Sequence, residues 1–301
     1  MKQITIISGK GGTGKTTLVA SFAALAENTV IADCDVDAPD LHLLLHPEIV
    51  KREEFKGLKV AVMDKTKCIE CGRCEEACRF NAISYNASGV DARDGDFFTD
   101  VTESGYTVNP ARCEGCGVCV FVCDQEAITL TERVSGYAFI SKTKYGTMAH
   151  AQLNIAEESS GKLVTVVRNN AQRVAEEEGS ELILIDGSPG IGCPVIASLT
   201  GVDLALVITE PTMSGLHDLE RILDVTRHFG IATVVCINKY NINEENSRRI
   251  TGFCKERGVT IAKNIPYDPV VTRAMVAAMP VVEFSGGAVS DAIKEIWASI
   301  R

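Results

Sequence analysis

The chain has 301 residues, 46% of them hydrophobic, and its 30 Lys and Arg against 40 Asp and Glu leave a formal net charge of −10. This composition belongs to a packed globular protein of one or two domains, not a disordered or fibrous chain, and the acidic balance argues against a nucleic-acid partner. No apolar run reaches the roughly 18–20 residues that span a bilayer, and Met1 to Gly9 runs into a glycine loop without a signal-peptide core, so a cytoplasmic chain with no membrane partner is expected.

From the start, Gln3 to Ser8 reads as a buried strand and Lys15 to Glu27 as a helix. Between them Gly9-Lys10-Gly11-Gly12-Thr13-Gly14-Lys15-Thr16 satisfies GxxxxGK[ST] in the strand–loop–helix setting of a phosphate loop. Glycines let backbone N–H groups surround phosphate oxygens, and the helix N-terminus adds partial positive charge. Lys15 would reach the β- and γ-phosphates and the Thr16 hydroxyl would ligate Mg²⁺; the nucleotide-binding run is taken from Gly9 through Thr17. A second strand, Thr29 to Asp33, leads into Asp33-Cys34-Asp35-Val36-Asp37. Three carboxylates so close repel unless a cation or water network separates them. The run is either a solvated acidic turn or a switch loop whose Asp35 orients an attacking water, and the second reading is preferred.

The pattern then changes. Of twelve cysteines, eight fall between Cys68 and Cys123, a clustering that points to metal more than to disulfides in a chain without a secretory signal. The segment is duplicated: Cys68-Ile69-Glu70-Cys71-Gly72-Arg73-Cys74 with Cys78 is answered by Cys113-Glu114-Gly115-Cys116-Gly117-Val118-Cys119 with Cys123. Both copies match the spacing of bacterial two-cluster ferredoxins. That match implies two 4Fe–4S clusters with crossed ligands, the fourth cysteine of each run starting a helix toward the other cluster. Cys68, Cys71, Cys74 and Cys123 would hold one, and Cys113, Cys116, Cys119 and Cys78 the other. Zinc usually draws two CxxC pairs from separated loops and is the disfavoured alternative. Arg79 and Asp124 stand where ferredoxins have proline, and the interval holding Asp91, Asp94, Asp96 and Asp100 reads as a hairpin or surface loop. The expected division is therefore an α/β domain over 1–62 and 132–301, with residues 63–131 as a small inserted α+β module.

Beyond the insert, apolar strands recur at Glu181 to Ile185, Leu204 to Thr209, Ala232 to Ile237 and Val259 to Ile265, with helices at Ser214 to Phe229 and Asn243 to Arg257. Strands buried on both faces that alternate with helices predict a doubly wound, mostly parallel sheet. Asp186 ends one such strand ahead of Gly187-Ser188-Pro189-Gly190, the shape of a Mg²⁺-holding acid followed by a γ-phosphate-sensing turn. Cys236 and Cys254 read as core residues, and Cys34, between two acids, as an unreactive thiol. The helix Ala288 to Ile300 lacks the basic amphipathic face of a membrane-surface helix.

Lys10 within Lys-Gly-Gly-Thr-Gly-Lys-Thr, together with Asp33-Cys34-Asp35, Asp186-Gly187-Ser188-Pro189-Gly190 and Thr209-Glu210-Pro211-Thr212, resembles the deviant phosphate loop and switches of the MinD/Mrp and nitrogenase-iron-protein class of P-loop ATPases. With the cysteine insert, the chain is similar to MinD-superfamily ATPases carrying a ferredoxin domain. The resemblance implies an ATP- and Mg²⁺-dependent dimer, with itself or with a related ATPase, in which Lys10 reaches the partner's phosphates. It also implies adenine contacts from Asn238 and a Pro266-Tyr267-Asp268 segment near the base. Cys193 sits at the offset of a cluster ligand in the nitrogenase iron protein, but no second cysteine accompanies it outside the insert, so packing is preferred to a bridging cluster. The leading expectation is an ATPase, with Lys10, Lys15 and Asp35 in catalytic roles, whose switch motion is coupled to electron transfer toward a redox protein. The alternatives are a Mrp-type carrier handing clusters to apo iron–sulfur acceptors, and a regulatory module sensing redox state and nucleotide.

Overall fold

In a computed structural model, which describes residues 1–87, 104–154 and 160–301, the first three elements are β1 (Lys2–Ser8), α1 (Lys15–Leu25) and β2 (Thr29–Asp33). The short α2 (His42–Leu45) and β3 (Glu48–Phe55) precede a run of small elements: β4 (Lys59–Met63), α3 (Arg73–Ala77), β5 (Ile83–Asn86), β6 (Gly105–Val108), α4 (Val118–Phe121) and β7 (Ile128–Glu132). Longer elements return with β8 (Gly136–Thr143), β9 (Gly146–Leu153), α5 (Ser160–Glu178), β10 (Leu182–Pro189) and α6 (Cys193–Leu199). β11 (Leu204–Thr209), α7 (Met213–His228), β12 (Ala232–Ile237), α8 (Glu244–Glu256) and β13 (Thr260–Ile261) continue the alternation. The chain closes with α9 (Val270–Val276), α10 (Val281–Phe284) and α11 (Ala288–Ile300). No helix among the described residues is long and apolar enough to cross a membrane.

The residues divide into two compact units, one of 1–53, 137–153 and 160–301, the other of the described residues within Glu54–Gly136 together with Asn154. The first unit is built on a sheet in the order β13-β12-β11-β1-β10-β2-β9-β8-β3. From β13 to β9 every neighbouring pair is parallel, as the near-continuous apolar runs predict for strands covered on both faces. β8 and β9 are joined through Lys144 and Tyr145 alone, a link that only a hairpin can use. Their mixed sequences gave no strand signal, and β3, Glu-Ile-Val-Lys-Arg-Glu-Glu-Phe, is charged and exposed except at Phe55, as suits an edge strand. At the other edge β13 is two residues long, shorter than the Val259–Ile265 run suggested, and Ile265 makes only an isolated bridge to Asn238.

On one side of the sheet, α1, α10 and α11 share a core that holds Phe22, Leu184, Ile208, Ile293 and Trp297. α11 buries Val289, Ala292, Ile293, Ile296, Trp297 and Ile300, so its apolar stripe is occupied within the unit. α5 buries Leu163, Val164, Val167, Ala171, Val174 and Ala175, the 3.6-residue spacing of a helix lying on a sheet.

The second unit is arranged as two interleaved copies. β4 pairs antiparallel with β7, and β5 with β6, so the strand before each cysteine run pairs with the strand after the other. The unit begins ahead of residue 63 and ends beyond 131, the bounds expected from composition. β4 and β7 pair from Lys59↔Glu132, and Ser135 ties the base: its N–H donates to the Phe55 carbonyl at 2.7 Å and its Oγ accepts from Gly57 and Leu58. The acidic stretch Asp91, Asp94, Asp96 and Asp100, with the loop reading attached to it, lies outside the described residues.

Phe22 is fully buried and stacks on Trp297 at 5.2 Å between ring centroids. Phe22→Ala is expected to destabilise the first unit by about 3–5 kcal/mol. Urea unfolding followed by fluorescence of Trp297, the sole tryptophan, measures this, and a loss under about 1 kcal/mol would contradict the packing described.

Candidate functional site

The parallel register fixes the site. β1 aligns with β10 so that Ile6 stands beside Asp186, and β10 aligns with β2 so that Asp186 stands beside Asp33. Asp33 ends β2, but β10 runs on through Gly187 and Ser188 to Pro189, so Asp186 lies within its strand and the turn expected at Gly187 begins later. The two aspartates stand side by side near the carboxyl ends of central strands, where open α/β sheets bind ligands. Between β1 and α1 the glycine loop turns with Gly12 and Gly14 at φ +76° and +94°. A Cβ on Gly14 would come within 2.6 Å of Asn238 Nδ2, so glycine is needed there for space as well as conformation. Ser8 Oγ donates to the Lys10 carbonyl at 2.6 Å, and Asn238 Nδ2 donates to the Thr13 carbonyl at 2.8 Å. The start of α1 has no side-chain cap and no acid in its first turn, leaving N–H groups for an anion.

Lys15 is 5% exposed, Asp33 1% and Asp186 0%. Neither Asp186 oxygen has a hydrogen-bond partner, and Asp33 Oδ2 also lacks one, while its Oδ1 accepts from the Asp35 N–H at 3.1 Å. Burial lifts Asp186 to about pKa 7; Lys15 and then the Thr16 hydroxyl favour its charge, though not through a well-formed hydrogen bond. Burial and the neighbouring Asp186 raise Asp33 as well, and Asp35 is raised by burial against the pull of Lys15. Asp33 is thus interior, not part of a solvated turn. Cys34 is pushed up chiefly by burial, with the flanking acids secondary. Ser188 Oγ donates to its carbonyl at 2.5 Å and its N–H donates to the Asp186 carbonyl at 2.8 Å, so the two expected switch segments are tied together at their roots.

A cavity of about 650 Å³ opens over the loop. Gly11, Gly12, Gly14, Lys15, Thr16, Thr17, Asp35, Asn238, Pro266 and Tyr267 line it, with Leu18, Leu43, Met275 and Ile293 on an apolar wall. Gly9, Lys10, Thr13 and Asp186 are not in its wall. Lys10 Nζ lies 3.4 Å from Glu210 Oε2, and Lys239 Nζ lies 2.6 Å from Glu210 Oε1. Burial would raise Glu210, but Lys239 and then Lys10 hold it below the usual carboxylate range. Sequence gave Glu210 no ionic role, because its partners lie 200 positions upstream and 29 downstream.

In the second unit, Cys68, Cys71, Cys74 and Cys123 line one small cavity, and Cys78, Cys113, Cys116 and Cys119 line another. Among the described residues no three His, Cys, Asp or Glu groups are close enough to share one metal ion; each cavity spreads its four thiols around its wall. Backbone N–H groups of Ala82, Ala127 and Ala61 donate to the sulfurs of Cys78, Cys123 and Cys113, each at 3.4 Å. One expectation is corrected. Cys78 is the C-cap of α3 and Cys123 follows α4, so the fourth cysteine ends a helical turn instead of starting one; the helix is the segment that carries the third cysteine. Cys236 and Cys254 are buried, as expected, whereas Cys193, expected to pack, is instead exposed at the start of α6.

Phosphate loop, buried aspartate on a central strand and parallel sheet together define a P-loop nucleotide-binding protein. The chain belongs to the CobQ/CobB/MinD/ParA nucleotide-binding domain family, whose model matches residues 4–281, and so to the MinD/ParA-type ATPases. It is 33% identical to the uncharacterized protein MJ0578 of Methanocaldococcus jannaschii, over 99% of this chain and 96% of that one. The septum site-determining protein MinD of Pyrococcus horikoshii, solved with Mg-ADP, superposes with a TM-score of 0.56 at 17% identity, covering 99% of this chain and 95% of that one. A putative formate dehydrogenase of Staphylococcus aureus is 26% identical over 133 residues, 43% of this chain and 13% of that one.

In the metal-free chain, folded Asp186 keeps its proton up to about pH 7, whereas the unfolded chain releases it near pH 4. The folded state binds the extra proton across that window, so this group lowers stability as pH rises through it. Asp186→Asn is expected to raise the metal-free melting temperature at pH 8, with the gain vanishing toward pH 4. A gain independent of pH would count against an unpaired carboxyl.

Proposed function

We propose that this protein is a Mg²⁺-dependent ATPase whose nucleotide-driven switch motion is coupled to electron transfer through two 4Fe–4S clusters in an inserted ferredoxin-like module. The observation that carries the first half is the buried, unpartnered carboxyl of Asp186 beside Lys15 and Thr16, a donor set that fits a hard cation. Thr16 and Asp186 would hold Mg²⁺, which when bound neutralises charge on the phosphate oxygens. Lys15 and the loop N–H groups bind the β- and γ-phosphates. Asp35 orients a water for in-line attack at the γ-phosphorus; the new P–O bond forms as the bond to the β–γ bridging oxygen breaks, and ADP leaves with that electron pair. Asn238, Pro266 and Tyr267, in the cavity wall, would face the base. Closure on a second copy or a related ATPase requires Lys10 to leave Glu210 and reach the partner's phosphates.

For the second half, the support is two cavities with four thiols each. Thiols spread around a wall suit a cubane, where each binds its own iron, better than one tetrahedral ion, and N–H donors to sulfur are in place. Cys68, Cys71, Cys74 and Cys123 would hold one cluster, and Cys78, Cys113, Cys116 and Cys119 the other. The clusters supply one-electron storage. Similarity to a segment of a putative formate dehydrogenase is in keeping with a redox partner. Coupling needs ATP to bind the two switch arrangements unequally.

Anaerobically purified protein is expected to carry about eight irons per chain with matching acid-labile sulfide; four or fewer, or zinc, would overturn the cluster assignment. Lys15→Ala is expected to abolish ATP turnover while leaving iron content unchanged. Reduction potentials and partner affinity that are identical with and without MgATP would remove the coupling claim.

A further inference from the structure

The two cysteine runs are copies in backbone but not in charge. Glu70 and Gly115 are both left-handed, at φ 55° and 63°, and Gly72 and Gly117 both stand at φ 79°. The fourth sulfur of each run accepts an alanine N–H at 3.4 Å. A further neutral donor reaches the second site, the Ala61 N–H to Cys113 at 3.4 Å. The donors to the two fourth sulfurs are matched and the extra N–H lies at the second site, so any advantage of the first site comes from its side chains.

At the position between the second and third cysteines the first run has Arg73 and the second has Val118. Arg73 lines the cavity of Cys68, Cys71, Cys74 and Cys123, which puts a guanidinium in the same wall as those four thiols. Asp124, in the same wall, pairs with Arg73 and holds the guanidinium there. Among the described residues, the wall of Cys78, Cys113, Cys116 and Cys119 has no cation. Val118, Phe80, Ile83 and Leu130 make it apolar, and Glu114 is its one charged member apart from the thiols. Arg79 is exposed and not in that wall.

An added electron is an added negative charge. It is favoured where the wall holds a cation, and disfavoured in an apolar wall bearing a carboxylate and no cation. Resting on the two-cluster reading above, we propose that Arg73 sets the two sites apart, so that the one-electron-reduced protein holds its electron at the site of Cys68, Cys71, Cys74 and Cys123. In that state the first site is reduced and the second oxidised, with no bond made or proton moved. Arg73 is a positioning residue for charge, and the insert has a downhill direction, from the Val118 side to the Arg73 side.

The test is graded anaerobic reduction of the full chain with dithionite, followed by EPR, in wild type, Arg73→Val and Val118→Arg. Wild type is expected to reduce in two one-electron steps at least tenfold apart in equilibrium constant, about 59 mV. Arg73→Val should lower the upper step by that tenfold and leave the lower one in place, while Val118→Arg should raise the lower step. Wild-type steps within threefold of each other, or an Arg73→Val change confined to the lower step, would overturn the proposal. Should Arg73→Val lose iron, Val118→Arg decides, and an unmoved lower step overturns it. Iron is counted first: fewer than about eight per wild-type chain removes the two-cluster reading itself, whereas full iron with indistinguishable steps removes only the role of Arg73.

Discussion

A carboxyl with no partner, sealed near the carboxyl end of a central strand, is the constraint around which the first unit is organised. Leaving Asp186 buried and unpaired carries a desolvation penalty of the kind proteins normally avoid. The unit holds it there because the neighbouring strands are committed elsewhere: β1 and β2 flank β10 in parallel register, and their side chains are packed to full burial. The same register delivers Asp33 beside it and Lys15 above it. Stability is therefore given up at the point where a cation and a phosphate chain would restore it, and the unit is tightest once its site is filled.

The second unit solves a different problem. So few residues cannot build a large apolar core, and its buried cluster is small: Ala61, Cys74, Ile83, Tyr106, Cys119 and Ile128, with further cysteines packed against it. Thiols do much of the work that leucines do elsewhere. Crossed pairing of β4 with β7 and β5 with β6 places Cys123 with the first run and Cys78 with the second. Each site thus needs both halves.

Much of this was legible in the sequence, for identifiable reasons. Continuous apolar runs marked β1, β2, β10, β11 and β12, because strands covered on both faces leave no polar alternation to confuse. The glycine loop and the two cysteine runs were legible because each chemistry demands fixed spacing over a few residues. Elements that depend on long-range partners were not. β3 is a charged edge strand, β8 and β9 mix polar and apolar residues, and the ion pairs of Glu210 join residues far apart in the chain. Asp33 looked like a member of an acidic turn because sequence does not reveal which of three carboxylates faces inward. The place of the fourth cysteine at a helix end also required the backbone itself.

Glu210 serves two lysines unequally, with Lys239 at 2.6 Å and Lys10 at 3.4 Å. An isolated ion pair pulled apart strands both charges, and a part-buried carboxylate left alone is expensive. Here the nearer lysine stays behind. Were Lys10 to leave, Glu210 would still be neutralised by Lys239, so the loop could extend that cation without opening a hole in the charge balance of the chain it leaves.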